Sequence, residues 1–257
     1  MSSAARKGAH GAEKKFLDRE KKVNLRYARF LSEYLAFKRL LRESPQRFAL
    51  KWKDRYPCLN EKVPGLDIEP HYTYHPAWAA RVVAQICPGV HVDISSTLSF
   101  CTIVSAFVPI KFYEYRPAKL NLNNLTSEAA DLLHLPFEDD SVESISCMHV
   151  VEHVGLGRYG DRLDPDGDLK AISELKRVVS PGGSLLFVVP IGAPRIMFNA
   201  HRIYSYDQIA GYFSDLIVKE FSLITEDNRS GGLIRNAAKE SADQETYGCG
   251  CFWFQKP

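Results

Sequence analysis

No stretch of this chain approaches the roughly 20 consecutive apolar residues needed to cross a bilayer. Its N-terminus also lacks an apolar core followed by a small-residue cleavage site. A soluble, cytoplasmic protein is therefore expected. The six cysteines, Cys58, Cys87, Cys101, Cys147, Cys249 and Cys251, include no CxxC pair. In a chain of 257 residues they read as reduced packing residues rather than a disulfide frame. Cys249 and Cys251 are two apart and so share one face of a strand, but no His or Cys pair completes a zinc set, and no metal is expected. No repeat or low-complexity tract appears, and no base-reading motif points to nucleic acid.

What is present is enough apolar sequence, 45% of residues, to bury a full core. The net charge of +2 conceals a division: residues 1–55 hold 16 Lys or Arg against 6 Asp or Glu, and the remainder holds 17 against 25. Residues 1–13 are small, polar and basic and are expected to form a disordered tail. Residues 14–70 read as a helical extension and connector. In it Val23, Tyr27, Phe30, Leu31, Tyr34, Leu35, Phe37 and Leu41 recur at helical spacing, opposite Arg19, Lys21, Lys22, Arg26, Arg29, Lys38, Arg39 and Arg42. The basic face is read first as a solvated face. The sharper alternative is a peripheral contact with an anionic membrane or a glycan-assembly protein.

The segment Asp131–Gly192 organises the rest. Val142–Met148 reads as a strand, EHVGLGRYGD as a polar loop, Leu169, Ile172, Leu175 and Val179 as a helical stripe ended by Gly182 and Gly183, and SLLFVVP as a second strand. Strand, helix, strand in that order is a parallel crossover, and such sheets gather ligands at the carboxyl ends of their strands. Upstream, HPAWAARVVAQI reads as a helix with Pro76 in its first turn, and VHVDI as a strand ending at Asp93. The loop that follows, Ser95–Ser99, has no glycine. Glu114 closes a second strand, 21 positions after Asp93, near the spacing at which a carboxylate meets ribose hydroxyls. Tyr206 begins a short helix after a loop, and YGCGCFWFQK reads as a last edge or hairpin strand. Asp161, Asp164, Asp166 and Asp168 have the look of a cation loop, but a turn with Asp168 as N-cap is the better reading.

Together DLLHLPFEDDSVESI, VVEHV and LKRVVSPGGSLLFVVP resemble the second half of a class I S-adenosylmethionine-dependent methyltransferase. HVDIS, EHVGLGRYGD, LDPDGDLKA and VPIGAPRIMFNAHRIYS resemble a methyltransferase-like family of unknown function found among bacterial polysaccharide genes, over about residues 72–256. The resemblance implies an α/β, Rossmann-like seven-stranded methyltransferase sheet with its last strand antiparallel. It occupies 71–257 behind the N-terminal basic helical extension. It further implies S-adenosyl-L-methionine as cofactor, with Asp93, Ser95 and Thr97 at its methionine end, Glu114 at the ribose, Asp131 and Leu132 at the adenine, and His149 nearby.

Methyl transfer needs alignment and, for a hydroxyl acceptor, a base. Histidine suits that role at neutral pH. His153 is the preferred catalytic residue and His149 the second, with Glu152 orienting a histidine or binding a sugar hydroxyl. For each histidine a purely structural role is weighed equally. Arg158, Tyr159, Asp161, Asn199, His201, Arg202 and Tyr204 would form the acceptor rim. Two functions remain open: an O-methyltransferase acting on a sugar or surface-glycan precursor, and a catalytically inactive methyltransferase-like module that binds a partner or a membrane surface.

Overall fold

The computed structural model describes residues 24–42, 48–60, 68–226 and 232–257. The tail expected over 1–13, and the start of the basic helix before residue 24, lie outside these residues. The chain divides into two compact units, Met1–Asp67 and Ile68–Pro257.

In the first unit, α1 spans 24–40. Tyr27, Phe30, Leu31, Tyr34 and Leu41 are half-buried, while Leu35 and Phe37 stay exposed, so the apolar stripe is narrower than its spacing suggests. Trp52, in a single 3-10 turn, covers it, with Tyr34 edge-on at 4.9 Å between ring centroids. No described helix is long and apolar enough to cross a membrane.

The second unit opens with α2 (Pro70–Ile86), five residues earlier than the Pro76 signal suggests. Pro70 takes a first-turn position where its missing N–H is harmless, and the Glu69 carboxylate accepts from Tyr72 N, capping the helix. Then follow β1 (His91–Ile94), α3 (Leu98–Val104), β2 (Ile110–Glu114), β3 (Leu125–Ala129) and β4 (Val142–Met148). After them come α4 (Gly167–Val178), β5 (Val179–Ile191), β6 (Arg195–Met197), β7 (His201–Ile203) and α5 (Tyr206–Tyr212). The last elements are β8 (Ile217–Ile224), β9 (Leu233–Ile234), α6 (Lys239–Asp243) and β10 (Gly248–Gln255).

The main sheet has the order β3-β2-β1-β4-β5-β10-β8-β9. Strands β1 to β5 pair in parallel, and β10 runs antiparallel between β5 and β8. Two expectations are thereby corrected. Among the described residues the sheet has eight strands rather than seven, because the two-residue β9 pairs with β8. YGCGCFWFQK is not an edge: β10 is paired along both sides, and its side chains are buried on both faces.

Strand alternation divides the core. Leu185, Phe187 and Val189 of β5 and Phe252 and Phe254 of β10 pack with Ala171, Ile172, Leu175 and Val178 of α4 and Ile209 and Phe213 of α5. Leu186, Val188, Cys249 and Cys251 pack with Trp78, Val82 and Val83 of α2 and Phe100 and Val104 of α3 on the other face. Gly182 and Gly183 do not end α4, which stops at Val178. They lie in a bulged stretch of β5, where the pairing with β4 shifts between Val142 and Ser144 and Gly182 takes φ 75.

Candidate functional site

The carboxyl ends of β1 and β4 open on a cleft of about 460 Å³, within the range of small-molecule sites. Its first wall is the loop after β1. There Ser95 holds a left-handed backbone, φ 55, a conformation that normally selects glycine. Its N–H donates to Tyr113 O at 2.8 Å and its hydroxyl reaches the same carbonyl at 3.3 Å. Ser96 N donates to Asp93 Oδ1, Ser96 Oγ accepts from Met148 N, and Thr97 Oγ1 caps α3 by accepting from Phe100 N. The glycine-free loop is thus held by side-chain hydroxyls.

Asp93 does not face the cleft as expected. It is fully buried, with Oδ2 accepting from Ser146 Oγ and Oδ1 from Ser96 N. Burial raises its pKa to about 6 against the opposing pull of those hydrogen bonds. Ser146 Oγ in turn sits 2.9 Å from His91 Nε2, and His91 Nδ1 lies 2.8 Å from Ser144 Oγ. This closed polar network fixes the loop from beneath.

The second wall follows β4. His149 also has positive φ, 57, which turns the chain into a 3-10 turn over Val151–His153. His149 Nδ1 donates to the Glu152 carboxylate at 2.9 Å, with side chains 5% and 1% exposed. Burial opposes a charge on His149, but Cys249 and Glu152 outweigh it and raise its pKa to about 10. The Glu152 Oε2 atom, buried, has no hydrogen-bond partner among the described residues. His153 Nδ1 donates to Ala200 O at 2.7 Å, which leaves Nε2 as the proton-accepting nitrogen, 3.8 Å from Glu152 Oε1. Arg158 donates to the same Ala200 carbonyl and lies over the Tyr159 ring. His201 stacks on Tyr247 at 5.3 Å, and burial lowers its pKa.

The third wall was not singled out from the sequence: Glu69, His71 and Tyr72 at the start of α2, and Tyr247 before β10. His71 stacks on His149 with centroids 5.8 Å apart and planes 4° from parallel, and Tyr72 flanks the same ring. Burial, then the neighbouring His149, lowers His71 to about 4. The available signal was His71 and His75 at i, i+4 on one helix face, hidden because the sequence pattern places the helix start at His75, after His71. No metal set was expected from the sequence, where candidate ligands are dispersed. Folding gathers His71, His149 and Cys249, which lie far apart in sequence.

The cleft therefore collects Ser95, Thr97, His149, Glu152, His153, Arg158, Tyr159 and His201 of the expected site residues. Others lie elsewhere. Glu114 and Asp131 end up at the carboxyl side of β2 and β3, outside the cleft lining. Glu114 Oε1 accepts from Tyr115 N and Asp131 Oδ1 from Leu133 N. Leu132 packs half-buried against the core, and Asn199 is exposed.

Three rim assignments are corrected. Arg202 is buried and donates to the carbonyls of Val154, Asp164 and Pro165. Tyr204 is buried with its hydroxyl donating to Asp168, so Asp168 is a core partner, and the N-cap position belongs to Asp166. Asp161 organises its own loop, accepting from the N–H groups of Gly155, Gly157 and Tyr159. Burial opposes its charge, but these donors lower its pKa. Gly155, Gly157 and Gly160 spell a G-x-G-x-x-G spacing at positive φ. That turn already has an anion, the Asp161 carboxylate, on its amides.

The sheet order with an inserted antiparallel strand is that of the Rossmann-like class I S-adenosylmethionine-dependent methyltransferases. Two solved structures share the fold at a TM-score of 0.50: the YcgJ protein of Bacillus subtilis, 16% identical over 72% of this chain and 98% of its own, and a putative sarcosine dimethylglycine methyltransferase of Galdieria sulphuraria, 14% identical over 75% and 92%. A third, also at 0.50, is the geranyl diphosphate C-methyltransferase of Streptomyces coelicolor, 11% identical over 70% of this chain and 76% of its own, solved with Mg²⁺, geranyl-S-thiolodiphosphate and S-adenosyl-L-homocysteine. Residues 134–239 match a family described as Caenorhabditis protein of unknown function, DUF268. An uncharacterized protein of Methanocaldococcus jannaschii is 35% identical over 60 residues, 23% of this chain. The match spans 21% of that relative's length.

Proposed function

We propose that this chain is an S-adenosylmethionine-dependent O-methyltransferase, acting on a hydroxyl of a sugar or glycan precursor. The observation that carries the reading is the opposition, across one cleft, of the hydroxyl-held Ser95–Thr97 loop and the buried Glu152 and His153 pair. The donor, when bound, supplies an electrophilic methyl group. Ser95 and Thr97 would hold its amino-acid end. Glu114 and Asp131 each use one oxygen on their own backbone and keep the other for a ribose hydroxyl or an adenine amine. A protein of similar fold, the geranyl diphosphate C-methyltransferase of Streptomyces coelicolor, is solved with S-adenosyl-L-homocysteine, which supports donor binding on this fold.

On the acceptor side, Glu152 Oε2 is a buried oxygen in need of a donor, which an acceptor hydroxyl would satisfy. His153, pinned through Nδ1, presents Nε2 to take the proton of a second, neighbouring hydroxyl, the one that would accept the methyl group. A placed base of this kind contributes roughly a hundredfold or more. Arg158, Tyr159 and His201 give the rim mixed aromatic and polar character, which suits a carbohydrate.

The engagement of Glu114 and Asp131 by their own backbone favours a second reading, a non-catalytic module of the same fold. Calorimetry with S-adenosylmethionine and S-adenosylhomocysteine separates the two. The enzyme reading expects binding that weakens at least about tenfold, or roughly 1.4 kcal/mol, in Glu114→Ala and Asp131→Ala. It also expects transfer of labelled methyl to a glycan or nucleotide-sugar acceptor that His153→Ala slows about a hundredfold. Binding without transfer to any acceptor supports the module, and absence of binding removes the enzyme reading.

A further inference from the structure

We propose that His71, His149 and Cys249 bind one zinc-class divalent ion at the floor of the cleft, with a fourth coordination position open to the cleft. One donor atom from each lies within 4.8 Å of the others, and His149 Nε2 stands 3.4 Å from Cys249 Sγ. Two ligands on a tetrahedral zinc, at bonds of about 2.0–2.3 Å, are roughly 3.3–3.8 Å apart. His149 and Cys249 already meet that spacing. His71, in the first turn of α2, closes the remainder with a shift of at most about 1.5 Å.

The surroundings are those of a metal site rather than of packed rings alone. His149 donates its Nδ1–H to buried Glu152, which fixes the ring so that Nε2 is aimed at Cys249 and His71 and is free to bind an ion once its own proton has left. His71 has the Tyr247 backbone as a hydrogen-bonding partner for its ring. Two imidazoles and a thiolate form a borderline-soft set, which selects zinc over magnesium or calcium. Binding would release to solvent both the Cys249 thiol proton and the proton on His149 Nε2. His71 and His149 line the cleft, while Cys249 is fully buried below them. The fourth ligand would thus be water or an oxygen or sulfur arriving through the cleft, the arrangement of a catalytic rather than a structural zinc.

This inference stands without the methyl-transfer reading. The full chain, equilibrated with Zn²⁺ and dialysed, is expected to retain one equivalent by elemental analysis. Co²⁺ in its place is expected to show tetrahedral d–d bands together with thiolate-to-cobalt charge transfer. Cys249→Ser should abolish the charge transfer, and Cys251→Ser should keep it. His71→Ala, at a helix start, should weaken Zn²⁺ at least about tenfold, and Glu152→Gln about 10–100-fold, the usual effect of losing a ligand's orienting partner. Circular dichroism identifies any variant that fails to fold, in which case His71→Ala and Cys251→Ser decide. Wild-type protein that retains no Zn²⁺, or charge transfer that survives Cys249→Ser, overturns the proposal. Because the readouts are metal content and cobalt absorption, neither failure bears on donor binding measured by calorimetry.

Discussion

Ser95 carries a backbone conformation that its side chain disfavours by about 1–2 kcal/mol, and two bonds to Tyr113 O hold it there. Glycine would remove that penalty but lose about 0.5–1 kcal/mol to chain entropy and forfeit the hydroxyl contact. Ser95→Gly is therefore expected to leave stability within about 1 kcal/mol of wild type. Ser95→Val, β-branched in a left-handed position, should lose about 1–2 kcal/mol or more. Urea denaturation decides, and equal losses in both variants would mean that the hydroxyl, not the backbone, holds the turn. At this scale the sequence was legible where a residue meets its neighbours in a strand-end loop, as with His149, Glu152 and His153. It was not legible for Asp93, Arg202 and Tyr204. Their residue types suit a ligand as well as they suit a buried network, and only tertiary partners distinguish the two.

Among the elements, β8 is fastened to α2 through one carboxylate. Glu220, buried, accepts from Trp78 Nε1 of α2 at 2.9 Å, from Ser222 Oγ at 2.6 Å, and from Arg235 beyond β9. Burial opposes its charge, and these donors overcome it and lower its pKa. Glu220→Ala strands the indole N–H of a 1% exposed tryptophan and the Ser222 hydroxyl. It should lose about 2 kcal/mol or more, since each buried orphan costs about 1–3 kcal/mol. Arg235→Ala should lose less, because its side chain is 46% exposed and that pair is screened by solvent. Thermal or urea unfolding giving equal losses would refute this ranking. Element types and order followed well from periodicity, as the β4-α4-β5 crossover illustrates. Boundaries failed at Pro70 and at Gly182, where a proline and two glycines fit either a helix end or something else. The short hairpin of β6 and β7 was missed because three-residue strands carry no period.

For the molecule as a whole, buried titratable groups set how stability follows acidity. Burial lowers His91 to about 3, far below its ordinary 6.5, so the unfolded chain takes up a proton there before the folded one does. Stability from His91 is present above pH 6.5 and is lost as pH falls toward 3, by up to about 1.4 kcal/mol per unit. Asp93 works in reverse. Its folded pKa, about 6, lies above the ordinary 3.8, so the folded form holds the extra proton, and stability is lost as pH rises from about 4 to 6. Within that window the two opposite slopes offset each other. Asp93→Asn is expected to expose a steeper loss of stability on acidification between pH 6 and 4, measured by urea titrations at each pH. A slope unchanged from wild type would mean that Asp93 does not hold that proton. None of this was readable from residue order, because the pairing of His91 with Asp93 through Ser146 exists only once β1 and β4 lie side by side.

The antiparallel strand between β5 and β8 also bears on how the polypeptide emerges from the ribosome. Residues 248–255 leave the exit tunnel long after β5 and β8 have been made, so both neighbours wait with bare backbone edges on a growing nascent chain. Translation halted before Gly248 would leave two sheet fragments that cannot join, each open to mispairing with other chains. For this protein, a pause between the codons for β8 and those for β10 is a hazard to solubility that a stall elsewhere would not match.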